Sequence, residues 1–312
     1  MKKLILFASL LLIFIYPNFI FAEVKKINIG YQKANIFAIL KYRGSLESEF
    51  KKYDVNINWI EFPAGPQMLE GLNLGSIDLA ATGDAPPIFA QAAQADFVYL
   101  GHSPANPKSE AIIVPENSSI KSINDLKGKR IALNKGSDVN YLLLAALQHA
   151  GLNYSDIIPV YLQPSDARAA FEKGATDAWA IWDPFLAEVE TNLSVRQIVN
   201  GENLVPHYTF FLASRNFAEK KIKYVEVIIE QLIQQSEWVN THPQETSEVL
   251  SVSTGLSKDI WLKALQRANY GFIHMSDDSF AKQQKIADIF VKARLIPEPV
   301  DVKKAQWIIK EN

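Results

Sequence analysis

Between Ile27 and Leu100, short apolar strands alternate with segments of helical period, and this order constrains the fold more than any other feature of the chain. Ile27-Asn-Ile-Gly-Tyr31 reads as a first strand and Ile36 to Tyr42 as a helix. Val55 to Phe62 alternates with period two, as a half-buried strand does. Gly65 to Leu74 is a short helix with Gly75 just past its end. Ile77 to Ala81 is a third strand, Ala85 to Ala93 the next helix, and Phe97 to Leu100 a fourth strand. Such β-α-β-α order implies an α/β fold, a mainly parallel sheet flanked by helices.

The pattern breaks at Pro104, Asn106 and Pro107, and Ala111 to Val114 restarts a strand. Ile120 to Lys129 is a polar helical turn closed by Gly128. Then follow a strand (Arg130 to Asn134), a helix (Asp138 to Ala150) and a strand (Val160 to Leu162). A helix capped by Ser165 runs to Lys173, followed by strands at Ala178 to Trp182 and Val195 to Val199. Tyr208 to Ala213 reads as a strand crossing back to the first half. Four helices close the chain: 222–241, 243–252, 258–268 and 278–293. The expected division is a leader at 1–22, a first lobe from 23–108 and 208–312, and a second lobe from 109–207. About 290 residues after the leader exceed one typical core and suit two lobes.

Lys2 and Lys3 precede an apolar run from Leu4 to Tyr16, and Ala22 suits position −1 of a cleavage site. This reads as a secretory signal; Pro17 and Asn18 interrupt the run, which favours cleavage over a membrane anchor. The absence of cysteine removes disulfides, thiolate catalysis and a lipid-anchor cysteine. A periplasmic location follows if the source has an outer membrane. With 32 basic and 34 acidic residues and no long basic run, nucleic-acid binding is not expected.

Two strand-turn-helix junctions carry the candidate chemistry. In the first, Thr82-Gly83 leads to a helix with Asp84 as N-cap and Pro86 and Pro87 in its first turn. Backbone N–H groups at such a start bind anions without a lysine or arginine. The second is Lys135-Gly136-Ser137, where Ser137 adds a hydroxyl donor and Asn140 an amide donor. One turn in each lobe could grip one anion from both sides. Trp182 and Asp183 end a third strand, where ligands of open α/β sheets sit. Trp179, on the opposite strand face, reads as core, and Asp183 reads equally well as a helix cap. Asp78 ties down backbone. The five histidines are scattered without metal spacing. No metalloprotease motif, serine elbow or Gly-x-Gly-x-x-Gly occurs, so neither an enzyme, a metal site nor a cofactor is expected.

Several runs resemble the aliphatic-sulfonate-binding proteins of bacterial ABC importers. They are Ile29-Gly-Tyr-Gln-Lys33, Trp59 to Glu70, Gly75-Ser-Ile-Asp78, Thr82-Gly-Asp84, Pro86 to Gln91, Lys135-Gly-Ser137, Asp166 to Phe171 and Asp177 to Pro184. The resemblance implies a type II periplasmic binding protein, with two crossings joining the lobes and a ligand cleft between them. It implies capture of alkanesulfonates for sulfur acquisition by a monomer and delivery to a membrane permease and its ATPase. The alternatives within the family are taurine and small anions such as nitrate. The implied pocket is Gln32, Thr82, Gly83, Asp84, Gly136, Ser137, Asn140, Trp182 and Asp183. A thiamine-pyrimidine synthase family shares the fold but relies on a cysteine-rich motif, which this chain lacks. Asp138 departs from the small or hydroxyl residue usual in the family: it either caps its helix, as a first-turn acid does well, or faces the cleft.

Overall fold

The first alternating segment forms β1 (Lys26–Tyr31), which buries Ile27, Ile29 and Tyr31. The computed structural model describes residues 25–33 and 35–308, and the expected leader at 1–22 lies outside the described residues. After β1 come α1 (Ile36–Arg43), α2 (Ser45–Phe50), β2 (Asn56–Glu61), α3 (Gly65–Asn73), β3 (Leu79–Thr82), α4 (Ala85–Ala92) and β4 (Phe97–His102). The Asn35 side chain accepts from the Ala38 N–H to start α1, and Gly44 ends it at φ 65°. That single left-handed residue separates α1 from α2, two helices where the sequence pattern suggested one.

The second sheet begins with β5 (Glu110–Pro115). It continues through β6 (Arg130–Leu133), α5 (Asp138–His149), β7 (Ile158–Tyr161), α6 (Pro164–Glu172), β8 (Ala178–Trp182), α7 (Phe185–Asn192) and β9 (Val195–Asn200). Gln163, not Ser165, holds the N-cap position of α6, because Pro164 suits the first helical residue. The chain then returns through β10 (Phe210–Ser214) and finishes with α8 (Arg215–Lys220), α9 (Ile222–Thr241), α10 (Pro243–Thr254), α11 (Lys258–Leu265), β11 (Ile273–His274) and α12 (Asp277–Lys292).

The strand orders are β11-β4-β10-β3-β1-β2 and β7-β6-β8-β5-β9. In the first sheet β1 is parallel to β2 and β3, whereas β10 is antiparallel to β3 and β4. In the second, β6 is parallel to β7 and β8, whereas β5 is antiparallel to β8 and β9. Each sheet is therefore mixed, where alternation alone suggested mainly parallel order. The antiparallel members β5 and β10 are the strands that carry the chain from one sheet to the other. They arrive directly from the other half, without the crossover helix that a parallel pairing requires.

One apolar core covers the outer face of the first sheet, where Ile29, Phe37, Leu40 and Phe211 meet Val225, Leu232 and Trp261 from the C-terminal helices. A second runs continuously beneath both sheets and joins Ala80 and Ile88 to Ile112, Leu133, Leu142 and Phe290. Within it the rings of Phe89 and Phe290 lie 4.9 Å apart and those of Tyr141 and Phe290 6.0 Å apart, so α4, α5 and α12 form one wedge. A smaller core holds Trp179 against Phe171 and Leu186. Trp179 is 1 % exposed. Its replacement by alanine is expected to lose about 3–5 kcal/mol of unfolding free energy; a urea midpoint unchanged in Trp179→Ala would contradict that packing.

Candidate functional site

A cavity of about 430 Å³ opens where the carboxyl ends of strands from both sheets converge. Gln32 follows β1, Phe62 follows β2, Thr82 and Gly83 end β3, and Trp182 and Asp183 end β8; all line it. Ser109 and Thr209, next to the two crossings, add hydroxyls, and Asn106 and Asn269 add amides. Phe185, Phe211 and Trp261 add apolar wall. The cavity thus joins a polar set of donors to an aromatic surface, a combination suited to a small amphipathic ligand.

Of the residues expected at the site, Gln32, Thr82, Gly83, Trp182 and Asp183 meet in this cavity, and Asp84, Gly136, Ser137 and Asn140 do not line it. The second turn uses its donors internally. Gly136 N–H donates to Asn140 Oδ1 at 3.1 Å, the Ser137 hydroxyl to the Asn134 carbonyl at 2.7 Å, and the Asn140 amide to the Tyr154 hydroxyl at 3.1 Å. A buried turn must satisfy its own polar groups first. Gly136 has φ 74°, and a Cβ there would lie 3.3 Å from the Phe89 ring, so this turn packs against α4.

Asp84 stands at the N-cap position of α4 yet makes no cap hydrogen bond; it adopts φ −80°, ψ −29°, and both carboxylate oxygens are buried without a partner. A cap needs extended backbone to turn its oxygen back on the helix. Asp138 faces the other half. Its Oδ1 accepts from the Ala85 N–H at 3.3 Å, and a Cβ on Gly83 would lie 1.9 Å from its Oδ2. Only glycine leaves room for that approach.

Asp183 holds the start of a helix and also borders the cavity: its Oδ1 accepts from the Ala187 N–H at 2.9 Å in the first turn of α7. Arg267 stands 3.4 Å from the same oxygen and also pairs with Glu190, which Lys263 contacts at 2.9 Å. Burial pushes the Asp183 carboxyl up to about 7 despite Arg267. Asp78 accepts from the Asn28 N–H at 2.8 Å, the backbone role expected of it.

His207 and Glu110 carry no sequence signal for the site. Glu110 opens β5 on one crossing and His207 precedes β10 on the other, and His207 Nδ1 lies 3.0 Å from Glu110 Oε2. The pair ties the two crossings together beside Asp84 and Asp138. Burial lowers the His207 imidazolium, but Glu110, Asp138 and Asp84 outweigh it and carry its pKa to about 10. Burial raises Asp138 to about 6, with His207 opposing and Glu110 adding. Burial and then the Asp138 and Glu110 carboxylates raise Asp84 well above the usual carboxylate range. Among the described residues no group of three or more His, Cys, Asp or Glu is placed to hold a metal ion. A partly buried residue with φ 50° between Pro206 and Tyr208 is a tertiary feature that no local pattern announces.

Asp84, Asp138, Asp183 and His207 hold their protons more tightly in the folded chain than in the unfolded one. The contributions of Asp138 and Asp183 are full below their ordinary value of 3.8 and are lost as pH rises through about 6 and 7. That of His207 is full below 6.5 and is lost as pH rises through about 10. Thermal stability is therefore expected to fall between pH 5 and pH 9, by on the order of 5 °C. In His207→Gln the fall should be confined to the range below pH 8; an unchanged alkaline limb in a melting series would exclude His207 as its source.

The NMT1/THI5-like family profile matches residues 50–246. An Escherichia coli K12 protein described as an aliphatic sulfonates-binding protein is 43% identical over 283 residues, covering 90% of this chain and 88% of the relative. The solved alkanesulfonate-binding protein SsuA from Xanthomonas axonopodis pv. citri, bound to MOPS, superposes with TM-score 0.87 at 41% identity, covering 92% of this chain and 99% of that one. The periplasmic aliphatic sulphonate binding protein SsuA from Escherichia coli superposes with TM-score 0.82 at 42% identity, covering 92% and 94%. With such identity along nearly its whole length, the chain belongs to the aliphatic-sulfonate-binding proteins of the NMT1/THI5-like family.

Proposed function

We propose that this protein captures aliphatic sulfonates in the periplasm, as the substrate-binding component of an ABC importer, and hands them to a membrane permease driven by an ATPase. In this reading residues 1–22 direct export and are removed near Ala22. Residues 23–108 and 208–312 form one lobe, 109–207 the other, and the protein works as a monomer without a cofactor. The observation that carries the reading is the cavity itself. Both sheets contribute strand ends to it, and it sets hydroxyl and amide groups against aromatic walls.

A sulfonate is a monoanion with three acceptor oxygens. Thr82, whose buried hydroxyl has no partner, suits it, as does the Gln32 amide on the same wall, whereas Ser109 and Asn106 already donate to the Arg267, Pro104 and Asn269 carbonyls. The alkyl tail would lie against Trp182, Phe185 and Trp261. Neutral donors grip the head firmly enough to hold it, and no buried ion pair opposes its release at the permease. Because the walls come from both halves, a bound ligand favours the closed arrangement over the open one. Gly136, Ser137 and Asn140 support this pocket from behind, through the hydrogen bonds that fix the turn leading to Asp138 on its wall.

Titration calorimetry of the mature chain is expected to give one-to-one heats with alkanesulfonates of two to eight carbons and little with sulfate, nitrate or bicarbonate, while taurine reports how a tail amine is received. A sulfonate at a hundred times its Kd should add about 2.7 kcal/mol of stability. Heat with nitrate and none with any sulfonate would overturn the proposal.

A further inference from the structure

The start of α4 carries partial positive charge, but Pro86 and Pro87 have no N–H, so Ala85 supplies the one N–H of its first three residues, and Gly83 brings open backbone to the cavity wall. Beside it Thr82, 2 % exposed, keeps an unpartnered hydroxyl. The acid in the N-cap position, Asp84, gives the helix no cap. The Ala85 N–H is met instead by Asp138, from the first turn of α5 in the second sheet's half. Asp138 also lines the cavity, with its carboxylate laid against Gly83.

Resting on the sulfonate reading above, we infer that Asp138 sets the affinity and charge preference of the site: its carboxylate occupies the N–H seat at the start of α4, and a ligand anion takes that seat only in competition with it. A sulfonate matches a carboxylate in charge and in its acceptor oxygens, so the two exclude one another. With Asp138 ionised, the ligand meets a carboxylate that is held by a helix N-terminus and supported by His207. With Asp138 protonated, repulsion disappears and the N–H group is more easily released. The groups facing it are Asp84 ahead of α4, Glu110 at the start of β5 and His207 ahead of β10. Asp138 titrates near 6, so a monoanion should bind more tightly as pH falls through that value. Asp183 on another wall, near 7, acts in the same direction. The pH profile of the unsubstituted chain therefore does not isolate Asp138, whereas substitution does.

The test is calorimetry with ethanesulfonate, whose tail bears no cation, on the mature chain and on Asp138→Ser and Asp138→Asn at pH 5, 6.5 and 8. Both variants are expected to bind on the order of tenfold more tightly than the unsubstituted chain at pH 8, and the three should converge near pH 5. Sulfate, a dianion, should gain more from Asp138→Ser than ethanesulfonate does. Equal or weaker ethanesulfonate binding by both variants at pH 8, while the unsubstituted chain binds it, would overturn the role of Asp138. Failure of all three chains to bind ethanesulfonate or any longer alkanesulfonate would overturn the sulfonate reading and this inference with it.

Discussion

The wedge formed by α4, α5 and α12 is the constraint on which the rest of the molecule depends. Phe89, Tyr141 and Phe290 join the two halves into one apolar core on that side. Packing of this density leaves no slack, so the starts of α4 and α5 are held side by side. Two helix N-termini in contact place partial positive charge together, and Asp138 supplies the negative charge that offsets it. Gly83 leaves room for Asp138, and Gly136 holds the left-handed φ of 74° that favours glycine, with Phe89 packed over it.

The same closeness explains the charge pattern at the crossings. The chain passes between sheets ahead of β5 and ahead of β10, and each passage carries one member of the Glu110–His207 pair. The imidazolium is surrounded by three carboxylates, so partial burial fails to discharge it. Without it, Asp84 and Asp138 would face Glu110 with no cation among them. On the other side of the cavity, Arg267 plays the equivalent part for Asp183 and Glu190. His207 and Arg267 are thus tied to the fold's own acids at both ends of the cleft.

Much of the architecture was legible in the chain. Period-two alternation located β1 and β2, and the long C-terminal periodicity located α9 over 222–241. Asp78 was read correctly as a backbone anchor, and Trp179 as core, because strand register places a side chain on one face or the other. The six-residue helices α2 and α8 and the two-residue β11 were not legible, since each has too few residues for a period to be seen, and α7, which follows Pro184, was also missed. Trp182 and Asp183 were reached by the rule that ligands gather at strand carboxyl ends, Thr82 and Gly83 as an anion-binding turn, and Gln32 through the family resemblance. Ser137 and Asn140 were placed as a second anion-binding turn, but their donors are used inside that turn. Local spacing says that a donor exists and is silent on which acceptor reaches it first.

By itself the sequence determined the order of elements, the absence of thiol chemistry and two turns able to expose backbone N–H groups. It did so because hydrophobic period and turn residues act over a few neighbouring positions. Only the tertiary structure decided that Asp138 meets Ala85 of the facing helix, that Asp84 caps nothing, and that His207 pairs with Glu110 across two crossings. The two partners of each such contact lie in segments far apart along the chain. The packing of the wedge brings them together, and burial then sets which of them keeps its charge.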